Sequence, residues 1–201
     1  LRGTGSIEGS GTILWKTRIR TEWDDTLTFR KGMTFVIDSL VTDSSCRWEN
    51  YGSMRFTGPY EYAFAGRLDT ILNGGGSWEV SDSTTLWNIP HFINWSGAVL
   101  RAEGRTDSCR LRFATARNLD NYGHLFAKKT CFEGLSRDTA AMWNGILSAY
   151  NDAVIALDSC YIRDIRVISD IGGSAIHLYD AGDTANVVQC TKIERPMSPY
   201  Y

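Results

Sequence analysis

Apolar and polar residues alternate with a period of two in short runs along most of this chain, the pattern of a strand that buries one face. The segments Thr12 to Arg20 and Met33 to Ile37 show it best in the first third, and Val154 to Leu157 and Ile162 to Val167 repeat it further on. Turn-forming residues punctuate the runs: Gly32, Gly52, Gly58-Pro59 and Gly74-Gly75-Gly76 early, then Asn, Asp and Gly clusters later. Only Arg137 to Ala149, with Ala140, Ala141, Met142 and Leu147, has a helical look, and it reads as an irregular insertion near 137–149 within one repeating unit. Many short strands with no helix between them predict an all-β chain.

The cysteines suggest how the strands are stacked. Cys46, Cys109, Cys131, Cys160 and Cys190 each follow a small or polar residue, at spacings of 63, 22, 29 and 30 residues. Periods of about 20 to 50 residues mark a solenoid, in which each unit buries its apolar face on its neighbours. Two registers compete for the last units. One sets Cys160 over Cys190 and Ile146 over Ile176; the other shifts Asp164 to Ser169 by 22 residues onto Asn186 to Thr191. The cysteine register is preferred, and it predicts Cys109, Cys131, Cys160 and Cys190 as a buried interior ladder of free thiols. Stacked side chains point in parallel, which disfavours disulfides. Unpaired thiols fit folding in a reducing compartment. His91, His124 and His177 lie far from any cysteine cluster, so no metal site and no cofactor is expected.

Composition narrows the function classes. Of 201 residues, 43% are hydrophobic and 22% charged, with a net charge of −2. Lysine and arginine are scattered, which argues against a nucleic-acid partner, and no apolar run approaches the ~18 residues of a membrane-spanning helix. The whole of 1–201 reads as a single β-helix domain. Leu1 opens directly into apparent strand and turn, so a fragment of a longer polypeptide is expected.

The segment Gly3 to Ile13 resembles the glycine-rich entry strand of polygalacturonases and related β-helices of the pectate-lyase-like superfamily. Asp158 to Ile162 is similar to a rung of that superfamily, which includes phage tailspikes and tail fibres. The resemblance implies a right-handed parallel β-helix, often homotrimeric in the phage members, facing cell-surface polysaccharide. The catalytic sequences of polygalacturonases and pectate lyases do not occur, and the one Asp-Asp pair, Asp24-Asp25, lies too early in the chain.

Two groups of residues are candidates for chemistry. Glycoside hydrolysis needs two carboxyl groups about 5 to 9.5 Å apart, and Asp152, Asp180 and Asp183, in turns expected to stack, are the catalytic candidates. Asp158, Asp164, Glu103 and Asp107 stand behind them, and supplying turns is the competing role for every one of these aspartates. His177 is expected to face outward between Ile176 and Leu178. For glycan binding the candidates are Trp87, His91 and Trp95, because an aromatic ring joins an apolar body to polar neighbours. Core packing or a subunit contact would use the same residues, and alternating Tyr60, Tyr62 and Phe64 suggest an interface stripe. The expected function is a virion tail-fibre or tailspike segment, folded in the host cytoplasm, acting as a rigid shaft and a receptor-binding surface. Its expected partners are two further copies of itself, host cell-surface polysaccharide and other virion tail proteins. The alternatives are a polysaccharide depolymerase and a bacterial cell-surface adhesin.

Overall fold

Strand follows strand along the chain, and each pairs with the strands three earlier and three later in sequence order. In the computed structural model the described residues are 4–17, 19–20, 26–39, 41–43, 47–58, 61–64, 70–81, 85–89, 91–104, 109–113, 117–134, 145–169, 173–179, 186–189 and 192–194. Their strands form three parallel sheets of nine, eight and eight strands. The first sheet runs from Gly5–Ile7 to Lys192–Glu194, the second from Gly11–Trp15 to Ala175–Tyr179, and the third from Ile19–Arg20 to Val187–Gln189. The protein is therefore an all-β parallel solenoid, with no helix among the described residues. Gly145–Ala149, expected to belong to the irregular insertion, is a regular strand of the first sheet between Arg117–Asn121 and Arg166–Ser169. The remainder of that insertion lies outside the described residues.

Period-two alternation places one residue of each pair inside. In the first sheet Leu27, Trp48, Ile71, Phe92, Leu119, Leu147 and Val167 stack as one buried column. In the second, Phe35, Met54, Trp78, Leu100, Leu125 and Ile155 form another. The early coils are filled by aromatic rings in contact: Phe29 and Phe35 lie 4.7 Å apart, Phe56 and Trp78 4.9 Å, and Trp78 and Phe92 5.3 Å. In the later coils leucine, isoleucine and valine continue these two columns, and Phe113 and Phe132 are buried from the third sheet. Complementary sizes on facing columns keep the interior filled from coil to coil.

The thiol ladder is not formed as expected. Cys109 pairs with Thr130, while Cys131 pairs with Arg110 and Tyr161, so these two thiols occupy opposite sides of the third sheet. Cys160 precedes Tyr161 and its amide donates to Asn186 Oδ1 at 2.8 Å. Cys109, Cys131 and Cys160 are free and buried; Cys46 and Cys190 lie outside the described residues. Neither register expected for the last units occurs. Ile146 pairs with Arg166, Ile176 with Ile155, and Tyr161 with Val187. Equivalent positions are 20 residues apart from Leu147 to Val167 but 28 from Leu119 to Leu147. With coils of unequal length, a constant sequence step cannot follow the stacking.

Cys131 lies beside a buried carboxylate. Glu133, with its side chain only 6% exposed, contacts Arg112 Nε, Arg163 Nη2 at 3.0 Å and Arg110 Nη1 at 3.6 Å. One anion thus ties three successive strands of the third sheet together. Burial and the charge of Glu133 push the Cys131 thiol up to about 11, against the opposing pull of the arginines.

Candidate functional site

The corner where the chain leaves the first sheet is set by asparagine. Asn50, Asn73, Asn94 and Asn121 end successive strands, stack in register and are fully buried. Each of the first three donates from Nδ2 to the Oδ1 of the next: Asn50 to Asn73 at 2.9 Å, Asn73 to Asn94 at 2.8 Å and Asn94 to Asn121 at 2.7 Å. All four also donate to a backbone oxygen across the corner, at Ser77, Val99, His124 and Val154 respectively. A buried amide needs these partners, and here they hold the bend of one coil to the next.

With the asparagine turned inward, the next residue stands outward in register. The amides of Tyr51, Gly74, Trp95, Tyr122 and Tyr150 donate to the carbonyls of Phe29, Asn50, Asn73, Asn94 and Asn121, extending the parallel ladder by one residue. Trp95, Tyr122 and Tyr150 therefore stack on the outer edge, with ring centroids 5.2 and 4.9 Å apart. Trp95 remains 51% exposed.

Corner length then shapes the surface. Between the paired columns Asn94–Asn121–Ala149 and Val99–His124–Val154, the corners hold four residues (95–98), two (122–123) and four (150–153). The longer corners close as turns, with Ala98 N bonded to Trp95 O at 3.0 Å and Ala153 N to Tyr150 O at 3.2 Å. A short corner between two longer ones leaves a cleft of about 360 Å³, lined by Trp95, Gly97, Tyr122, His124, Asn151 and Asp152 among others. Tyr122 and His124 form its floor; Trp95 and Asp152 come from the four-residue corners on either side, and the Asp152 carboxylate lies beside Gly173 of the following coil. Gly123 is required on that floor, because a Cβ there would lie 2.4 Å from Ala98 O and 2.5 Å from Trp95 O.

Trp95 and Asp152, singled out from the sequence for different roles, share this cleft. His91 does not. It begins the strand that Asn94 ends, on the outside of the first sheet, where Nε2 meets Asp120 Oδ2 at 2.6 Å. Trp87 lies in the third sheet, in Thr85–Ile89, and pairs with Ala63. Tyr62 and Phe64 belong to the neighbouring strand Glu61–Phe64. Asp180, Asp183, Asp107 and Tyr60 lie outside the described residues. Asp158 is engaged by Lys128 at 3.4 Å, Asp164 by Arg163 at 3.3 Å, and Glu103 is on the outer face of the second sheet. His177 is exposed, as expected, on the same outer face. Among the described residues the cleft holds one carboxylate, that of Asp152, whereas Glu103 and Asp158 line a separate pocket on the second sheet with Lys128 between them.

Tyr122, Tyr150 and His124 were not anticipated. For Tyr122 the signal was present as an Asn-aromatic dipeptide, at Asn50-Tyr51, Asn94-Trp95 and Asn121-Tyr122; Tyr150 follows Ala149 and His124 follows Gly123, so neither carried it. Comparison with protein-family models, curated proteins and solved structures finds no match to this chain.

Proposed function

We propose that this solenoid is a virion tail-fibre or tailspike segment of the pectate-lyase-like kind, a rigid shaft that binds host-surface glycan at the Trp95–Asp152 cleft. In the intact protein it works as a homotrimer joined to other tail proteins. The observation that carries the reading is the half-exposed Trp95 ring, backed by Tyr122 and Tyr150, beside a cleft bearing an imidazole, an amide and a carboxylate. Stacking fixes the Trp95 ring before any ligand arrives, so little side-chain freedom is lost on binding. Sugar rings offer apolar CH faces to such a ring and hydroxyls to His124, Asn151 and Asp152.

The test is an array of bacterial capsular and O-antigen polysaccharides, followed by fluorescence titration of the glycans that bind. Trp95→Ala should weaken binding about tenfold or more, with the circular dichroism spectrum unchanged. Unaltered affinity in that variant, or no glycan bound by the parent, would overturn the reading. A depolymerase reading draws on Asp152 in the same cleft as Trp95, with its second carboxyl group supplied from outside the cleft. In that case the parent would release reducing ends from a bound polysaccharide and Asp152→Asn would stop the release.

A further inference from the structure

The short-corner cleft has a counterpart three coils earlier. Between the columns Phe29–Asn50–Asn73 and Thr34–Ser53–Ser77, the corners hold four residues (30–33), two (51–52) and three (74–76). Again a short corner lies between longer ones, and again a cleft results, of about 420 Å³, with Tyr51, Gly52 and Ser53 as its floor. Tyr51 stands in the same column as Tyr122, directly after a ladder asparagine. The crest between the two clefts is the corner 95–98, and Gly97 lines both of them. With φ of +79° and nothing within 4 Å of where a Cβ would be, Gly97 leaves that crest open. Gly75, also with nothing within 4 Å of a Cβ, leaves the near wall of the earlier cleft bare, while Gly76 beside it packs against the Gly52 backbone.

We infer that the two clefts are paired subsites of one site, joined over Gly97, which takes an uncharged linear polysaccharide lying along the solenoid axis. The inference rests on the glycan-binding reading of the Trp95–Asp152 cleft and extends it. Three coils at ~4.8 Å each separate the floors by about 14 Å, so one extended chain with a repeating unit reaches both. The charged side chains lining the clefts are Lys31 at one end and Asp152 at the other; between them stand glycine backbone, Val99 and the hydroxyls of Ser53 and Ser77, the latter two bonded at 3.0 Å. Such a surface offers hydrogen bonds without net charge. Occupying both clefts with one chain makes the second contact intramolecular, so affinity should rise with chain length.

The test uses the neutral and acidic polysaccharides of the same array, cut into fragments of a single repeat unit and of several. For the parent, long neutral fragments should bind about tenfold or more tightly than single units. Ser53→Trp fills the earlier cleft, and Gly97→Asn raises a side chain on the crest with a residue that tolerates positive φ. Each should reduce long-fragment affinity to that of the single unit, and Ser53→Trp, which lies outside the Trp95 cleft, should leave single-unit binding within about twofold. If single units bind and Trp95→Ala abolishes that binding, yet long fragments bind no better, the paired-subsite inference fails and the cleft reading survives. Preference for acidic polysaccharides, or variants that bind long fragments as the parent does, would also overturn it. A parent that binds no glycan ends both.

Discussion

Asn94 is the position at which the corner ladder is most directly tested. Its Nδ2 donates to Asn121 Oδ1 at 2.7 Å and to His124 O at 3.0 Å, and its Oδ1 accepts from Asn73 Nδ2 at 2.8 Å. Asn94→Ala removes these three bonds, and a longer one from Nδ2 to Ala98 O at 3.4 Å, in a fully buried setting. At about 1 kcal/mol net for each of the three short bonds, with a further ~1–2 kcal/mol for stranding the oxygen of Asn121, the loss is about 4–5 kcal/mol. That is a large share of the ~5–15 kcal/mol that holds a typical domain. Asn94→Asp is the sharper probe because it keeps the shape and reverses the chemistry. Its carboxylate would face the oxygens of Asn121 and His124, so the neutral form is favoured and its folded pKa rises above the ordinary ~3.9. A raised acid pKa means that the folded state holds the proton longer. Stability should therefore be lowest above that folded pKa, recover as pH falls through it, and level off below ~3.9. Urea unfolding followed by circular dichroism, over a pH series and with Asn94→Ala as reference, reads both effects. A loss below ~1 kcal/mol for Asn94→Ala, or an Asn94→Asp protein as stable as the parent at neutral pH, would refute the argument.

Glu133→Gln should cost about 2–3 kcal/mol, less than a fully buried ion pair because Arg110 and Arg163 are partly exposed; an unchanged melting temperature would contradict the clamp. Of the five thiols in the chain, Cys109, Cys131 and Cys160 should escape a thiol reagent in the native state and react on denaturation. Native labelling of any of those three, located by mass spectrometry, would show the burial to be wrong. Because the Cys131 pKa is raised from 9.0 to about 11, its contribution to stability is present below 9 and is lost as pH rises through about 11. Cys131→Ser should remove that part of the alkaline slope in a denaturation series.

Strand identity was legible because it is local. Met33 to Ile37 and Val154 to Leu157 alternate with a period of two, and the side chain that points inward is decided within the strand itself. The solenoid class followed from many such strands with turns between them. Register was a different matter. The similar settings of Cys109 and Cys131 suggested equivalent positions, yet Cys109 pairs with Thr130 because the stacking follows the asparagine corners and the hydrophobic columns. Those forces act between coils, and a slip of one residue would turn a whole strand inside out. Asn-aromatic pairs marked the corners in the sequence, but their meaning depends on the ladder of amide hydrogen bonds that only stacking creates. The cleft is a still clearer case. Trp95 and Asp152 were each visible as candidates, whereas their lining one cleft over Tyr122 and His124 depends on a two-residue corner lying between two four-residue ones. The chain itself determined which residues turn inward; the lengths of neighbouring corners, compared in space and not along the sequence, decided where the surface opens.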